Sequence, residues 1–244
     1  MNDIRKVYLG AIAFEFIALF GIVSPTVLGV ADLLDIEIMM GKTYTEIPSM
    51  FLFLHKLNNI FLEPGLILST LIGAFGIYSV EKFLIKSGFK DAPPSKAVVW
   101  SLLIFALLRI PKIAAGVNFL DALDDYMINK NFQAFQFASM LKGLSALLFG
   151  IAAIIVSIFL HRFFSHQAVS VKGKSPGKTG ARLIFWSVIF GIAVKTLAVY
   201  YYPQILSAAF IVSQMIKSFG LSFISFHLFS LAYNLSGENN LKFN

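Results

Sequence analysis

The chain contains no cysteine, which removes disulfides, thiolate metal sites and thiol nucleophiles together. Charge is also scarce: Asp, Glu, Lys and Arg make up 14% of the residues, against about 25% in an ordinary soluble domain. Acid is scarcer than base, with 13 Asp and Glu against 20 Lys and Arg. In so apolar a chain, surplus base marks cytoplasmic loops and contacts with anionic headgroups rather than nucleic acid, which is not expected as a partner. There is no His-Glu-x-x-His pair, no Gly-x-x-x-x-Gly-Lys-Ser/Thr phosphate loop and no Gly-x-Gly-x-x-Gly fingerprint. Enzyme chemistry therefore has no visible centre, and no cofactor is specified.

What is present is hydrophobic sequence in long runs. Apolar residues make up 57% of the chain and mean hydropathy is +0.78, too apolar to leave enough polar residues for a soluble surface. A helix needs roughly 20 apolar residues to cross the hydrocarbon layer. The expected fold is all-α, a polytopic helical membrane bundle of about six transmembrane helices with cytoplasmic N- and C-termini. The spans are placed at about 7–31, 64–80, 97–120, 138–160, 183–202 and 204–233, in one transmembrane domain over 1–235, with a polar tail at 236–244. The first run is too long for a signal-peptide core and is interrupted by Glu15, so it reads as an uncleaved helix.

Between the first two spans, the apolar section Pro48 to Leu62 carries His55, Lys56, Asn58 and Asn59 and is expected to form an outer interfacial helix. It ends at Glu63-Pro64-Gly65, where proline suits the first turn of the second crossing. Pro111 is expected to kink the third crossing. The segment His166 to Gly180, rich in Lys, Gly and Ser, reads as a mobile loop. The last run is long for a single span, and Lys217 with Gly220 allows either one helix or two half-helices.

Orientation follows from the basic residues. With the N-terminus inside, 12 of the 20 fall in cytoplasmic segments and Lys42, Lys56 and Lys130 in outer ones, the distribution required by the positive-inside rule. The expected location is the cell membrane, multi-pass. The expected partners are the bilayer, anionic lipid at the cytoplasmic face, and either partner membrane subunits or further copies of the chain.

Charges inside a bilayer are expensive and mark where function is to be sought. They are Glu15 in the first span, Arg109 and Lys112 in the third, Lys142 in the fourth, Lys195 in the fifth and Lys217 in the sixth. These residues are candidates for a pathway or for ion pairs, with Glu63 among the acids able to partner the outer lysines. Asp121, Asp124 and Asp125 offer oxygen ligands for a divalent cation, without the spacing of a calcium loop. His161 and His227 are a conceivable axial pair for a haem. The leading functional expectation is a small transporter or channel with a basic outer-half pathway for an anionic or proton-coupled solute. The alternative is a non-catalytic subunit of a larger membrane complex, binding partner helices and lipid; a membrane enzyme comes third.

Overall fold

The computed structural model describes residues 3–20, 57–89, 92–171, 173–198 and 203–241. Side chains are described for all of these except Met127 and residues 195–198, 203–208, 210 and 237–241. Among the described residues the secondary structure is helical, apart from one isolated bridge between Val171 and Lys174. The helices are α1 (residues 3–20), α2 (Glu63–Lys86), α3 (Lys96–Leu107), α4 (Arg109–Asn129), α5 (Phe132–Phe164), α6 (Pro176–Ala198) and α7 (Pro203–Leu241).

Five helical runs are long and apolar enough to cross a membrane: Asn58–Lys86, Lys96–Tyr126, Phe132–Phe164, Pro176–Val194 and Ile211–Ser236. They correspond to the second through sixth expected spans. The first expected span is described only as far as residue 20, and its remainder lies outside the described residues, as does most of the expected interfacial helix. The described end of that segment, Asn58–Leu62, is a π-helical turn continuous with α2 rather than a separate element. Pro64 accounts for this: it has no N–H to donate, and the ladder shifts so that the Glu63 N–H bonds the Asn58 carbonyl.

The kink expected at Pro111 is present as a break at Leu108 between α3 and α4. Proline cannot donate to the Leu107 carbonyl and its ring clashes there, so the regular ladder stops one turn ahead of it. Several boundaries differ from the sequence reading: α2 runs on to Lys86 and α5 spans Phe132–Phe164, each longer than its expected span. α4 continues past Leu120 to Asn129, because Leu123 and Phe119 pack with Phe135 and Ala138 of α5 in a small buried cluster. Only Lys130 and Asn131 remain as the connection; Lys130 adopts the left-handed conformation (φ 57°), and the Asn131 side chain accepts a bond from the Ala134 N–H at 3.3 Å to cap α5. α6 begins at Pro176 rather than near Leu183, since proline is well suited to the first helical position. α7 is one continuous helix through Lys217 and Gly220 and extends beyond Ser236 to Leu241.

The segment after α5 is also more structured than a featureless loop. Gln167–Val169 forms a 3-10 turn with Val169 fully buried; the His227 Nε2 lies 2.8 Å from the Val169 carbonyl. The Ser175 hydroxyl donates to the Phe164 carbonyl at 2.5 Å.

Helices in a bilayer gain little from the hydrophobic effect and associate through close packing and hydrogen bonds. Two backbone crossings supply the closest packing. A Cβ on Gly76 of α2 would lie 2.6 Å from the Gly10 Cα of α1, and one on Gly220 of α7 would lie 2.7 Å from the Gly180 carbonyl oxygen of α6. Serines bind across helices: Ser213 donates to the Ser187 carbonyl at 2.7 Å and Ser225 to the Ala11 carbonyl at 2.9 Å. Around these crossings a core of Val7, Phe14, Ile77, Leu84, Ile224 and Leu228 is almost fully buried.

Candidate functional site

Two prolines place the central charges. The π-turn ahead of Pro64 carries Asn58, Asn59 and Glu63, and the break ahead of Pro111 starts α4 at Arg109 with Lys112 one turn later. These two irregular points meet. Arg109 Nη1 donates to Glu63 Oε2 at 2.6 Å, and Lys112 Nζ donates to Glu63 Oε1 at 2.6 Å. The carboxylate is 2% exposed and the guanidinium 7%, whereas Lys112 retains 29%. A carboxylate this deep requires a cationic partner, because desolvating it alone costs several kcal/mol, of the order known for buried ions.

Aromatic rings complete the surroundings. Phe105 and Phe149 stack with centroids 4.3 Å apart, and the Arg109 guanidinium lies 4.8 Å from the Phe149 centroid. Lys112 Nζ lies 4.9 Å from the same ring, and Lys142 Nζ lies 3.9 Å from the centroid of Phe119. The negative faces of the rings stabilise the cations where water is scarce.

Arg109, Lys112, Lys142 and Lys217 line one cavity of about 300 Å³ between the helices. Among its described lining residues these four are cationic and Glu63 alone is acidic; Asn58, Asn59, Thr70, Ser145 and Gln214 add neutral polar groups. Lys217 donates to Gln214 Oε1. Two buried donors in the lining have no hydrogen-bond partner, Arg109 Nε and Asn59 Nδ2. Buried donors without partners are rare in proteins and call for an acceptor. No family model, no curated protein and no solved structure matches the chain. The reading of the site therefore rests on its chemistry.

The other sequence candidates lie apart from this cluster. Glu15 is half-buried on α1 and accepts a bond from the Ser222 hydroxyl at 3.1 Å; among the described residues no cation pairs with it, and it does not line the cavity. The side chain of Lys195 lies outside the described residues. Asp121, Asp124 and Asp125 sit on the last turns of α4, where Asp125 accepts from Asn129 at 2.7 Å and Asn131 at 2.9 Å. Among the described residues no group of three His, Asp or Glu side chains is arranged to hold a metal ion. His161 and His227 have separate partners: Arg182 Nε donates to His161 Nε2 at 3.0 Å, and His227 is committed to Val169.

Two features were not drawn from the sequence. Glu63 reads there as the end of an outer connection and a partner for the outer lysines, and what was not drawn is its burial and its pair with Arg109: Pro64-Gly65 resembles a helix start, and the only signal of depth is the apolar run on both sides. The string Gly173-Lys174-Ser175-Pro176-Gly177 has the Gly-x-Ser-x-Gly spacing of a nucleophile elbow. Its serine is bonded to the Phe164 carbonyl and no strand precedes it among the described residues, so the strand-turn-helix context of that motif is missing.

Proposed function

We propose that this multi-pass membrane protein is a small transporter or channel whose central cavity accepts an anionic solute. The observation that carries the reading is the convergence of Arg109, Lys112, Lys142 and Lys217 from three separate runs of chain on one intramembrane cavity. Charges are rarely placed there without use. Arg109 is the anchoring donor: its Nη1 is committed to Glu63 and its buried Nε has no partner. With the N-terminus cytoplasmic, as the basic loops favour, this end of the cavity belongs to the outer half. Glu63 and Lys86 stand at opposite ends of α2, about 34 Å apart along the axis at 1.5 Å per residue, and the Lys86 end pairs with Asp3 near the N-terminus.

The test is anion flux into proteoliposomes holding the purified chain, with chloride, inorganic phosphate and acetate as probes. Flux of at least one above protein-free vesicles, reduced about tenfold in Arg109→Gln, a loss equivalent to about 1.4 kcal/mol, supports the reading. Folded protein that passes none of them, and whose Arg109→Gln variant behaves identically, contradicts it.

The complex-subunit reading has one observation in its favour. The most apolar stretches of Lys96–Tyr126 and Phe132–Phe164 are only 28% buried, against 50% for Asn58–Lys86 and Ile211–Ser236. Phe137, Met140, Leu144 and Ile151 leave a broad apolar face on α5, for lipid or for a neighbouring helix. A purified complex of fixed composition, in place of a lone chain, favours this second reading.

A further inference from the structure

The lining of the cavity is sorted by polarity along its length. On α5 it runs through Lys142, Ser145, Phe149, Ala153, Val156 and Leu160, about 27 Å of helix from first to last at 1.5 Å per residue. The Lys142 end is polar, with Lys112 and Gln214 in the lining and the unpartnered donors of Asn59 and Arg109. The other end is hydrocarbon: Val156 and Leu160 share a buried cluster with Leu102 and Ile184, which also line the cavity. A small hydrated anion would use the first half and leave the second dry and empty.

We infer that the cavity takes an anionic single-chain amphiphile. Its phosphate or carboxylate sits among Arg109, Lys112, Lys142 and Lys217, and its hydrocarbon chain lies along Ala153, Val156 and Leu160. The inference rests on the anion reading proposed above and adds the substrate class. Three observations converge on it. Buried donors at the basic end need acceptor oxygens, and Arg109 offers the geometry for carboxylate or phosphate. The apolar half matches a chain in water-free contact. A volume of about 300 Å³ is at the lower limit of small-molecule pockets, which favours one chain over the two of a phospholipid.

The experiment uses the full chain in nanodiscs of zwitterionic phosphatidylcholine, with empty nanodiscs subtracting partition into the bilayer. Dodecyl phosphate, inorganic phosphate and dodecanol are titrated in turn. The inference predicts saturable binding of dodecyl phosphate at one per chain, with inorganic phosphate at least tenfold weaker and dodecanol not saturable. Arg109→Gln weakens dodecyl phosphate binding at least tenfold. Ala153→Phe, which fills the hydrocarbon half, blocks dodecyl phosphate and leaves inorganic phosphate unchanged. Val188→Phe fills the same half from α6 and serves if the first variant fails to fold by size exclusion. If inorganic phosphate binds as tightly as dodecyl phosphate and neither filling variant affects either ligand, the amphiphile inference is overturned while the anion reading stands. If no anionic probe binds saturably, or Arg109→Gln binds as the wild type does, both fall.

Discussion

Glu63 holds the two cations that begin α4, so the cost of losing it falls on both. Glu63→Gln leaves Arg109 and Lys112 facing a neutral amide in a nearly dry site, and breaking a buried ion pair costs about 3–5 kcal/mol. Thermal unfolding should show that loss clearly. Lys112→Met should cost less, because Lys112 is the more exposed partner and Arg109 still covers the carboxylate. At the opposite end of the bundle, Asp3 is held below the 3.8 of a free aspartate, chiefly by the hydrogen bond from Lys86. Its folded-state pKa is depressed, so the stabilisation is present above about pH 4 and fades as pH falls through the depressed value. Lys86 is largely solvent-exposed, so Asp3→Asn should cost well under 1 kcal/mol at pH 7, with the difference vanishing in acid melts. Arg109, Lys112, Lys142 and Lys217 were legible in the sequence, because a charge inside an apolar run stands out. Glu63 was legible only as a partner for the outer lysines; its depth and its pair with Arg109 were not, since the Pro64-Gly65 that follows it is the usual mark of a boundary.

Helices here are irregular where the chemistry is, and each irregularity traces to a proline. Pro111→Ala restores the donor missing opposite the Leu107 carbonyl and removes the steric cause of the break at Leu108. A straightened helix carries Arg109 and Lys112 away from Glu63. The expected outcome is folded protein with anion flux reduced at least tenfold, measured in the same proteoliposomes; flux at the wild-type level would show that the break does not position the site. Glycine crossings act on stability instead. Gly220→Ala places a methyl group 2.7 Å from the Gly180 carbonyl oxygen and 2.8 Å from an Ile184 side-chain carbon, forcing α6 and α7 apart. Overpacking of this kind costs about 1–3 kcal/mol, to be read from thermal unfolding. The Pro111 break was foreseeable from local covalent geometry. The π-turn, the length of α4 and the early start of α6 were not: hydropathy marks where the apolar run ends, whereas backbone hydrogen bonds continue through polar residues such as Asp121 and Lys178.

On the scale of the molecule, the apolar runs alone specified an all-helical membrane protein, and five runs of sufficient length and hydropathy form helices. The rotation of each helix was illegible, because nearly every position is apolar and the periodicity that would mark an inner face is absent. Which charges meet therefore emerged only from the three-dimensional arrangement. Orientation is open to direct test, and the lack of cysteine makes that test clean. A cysteine introduced at Asn131, in the short α4–α5 connection, should react with a membrane-impermeant maleimide in intact cells. One introduced at Gly173, in the α5–α6 connection, should react only after permeabilisation; the reverse pattern would invert the topology. The central claim is that the cavity is a site for anions anchored by Arg109. Its most direct measurement is the anomalous scattering of iodide soaked into crystals of the protein. The account predicts an iodide peak inside the cavity beside Arg109, lost in Arg109→Gln. Iodide peaks confined to the outer surface, with none in the cavity, would contradict it.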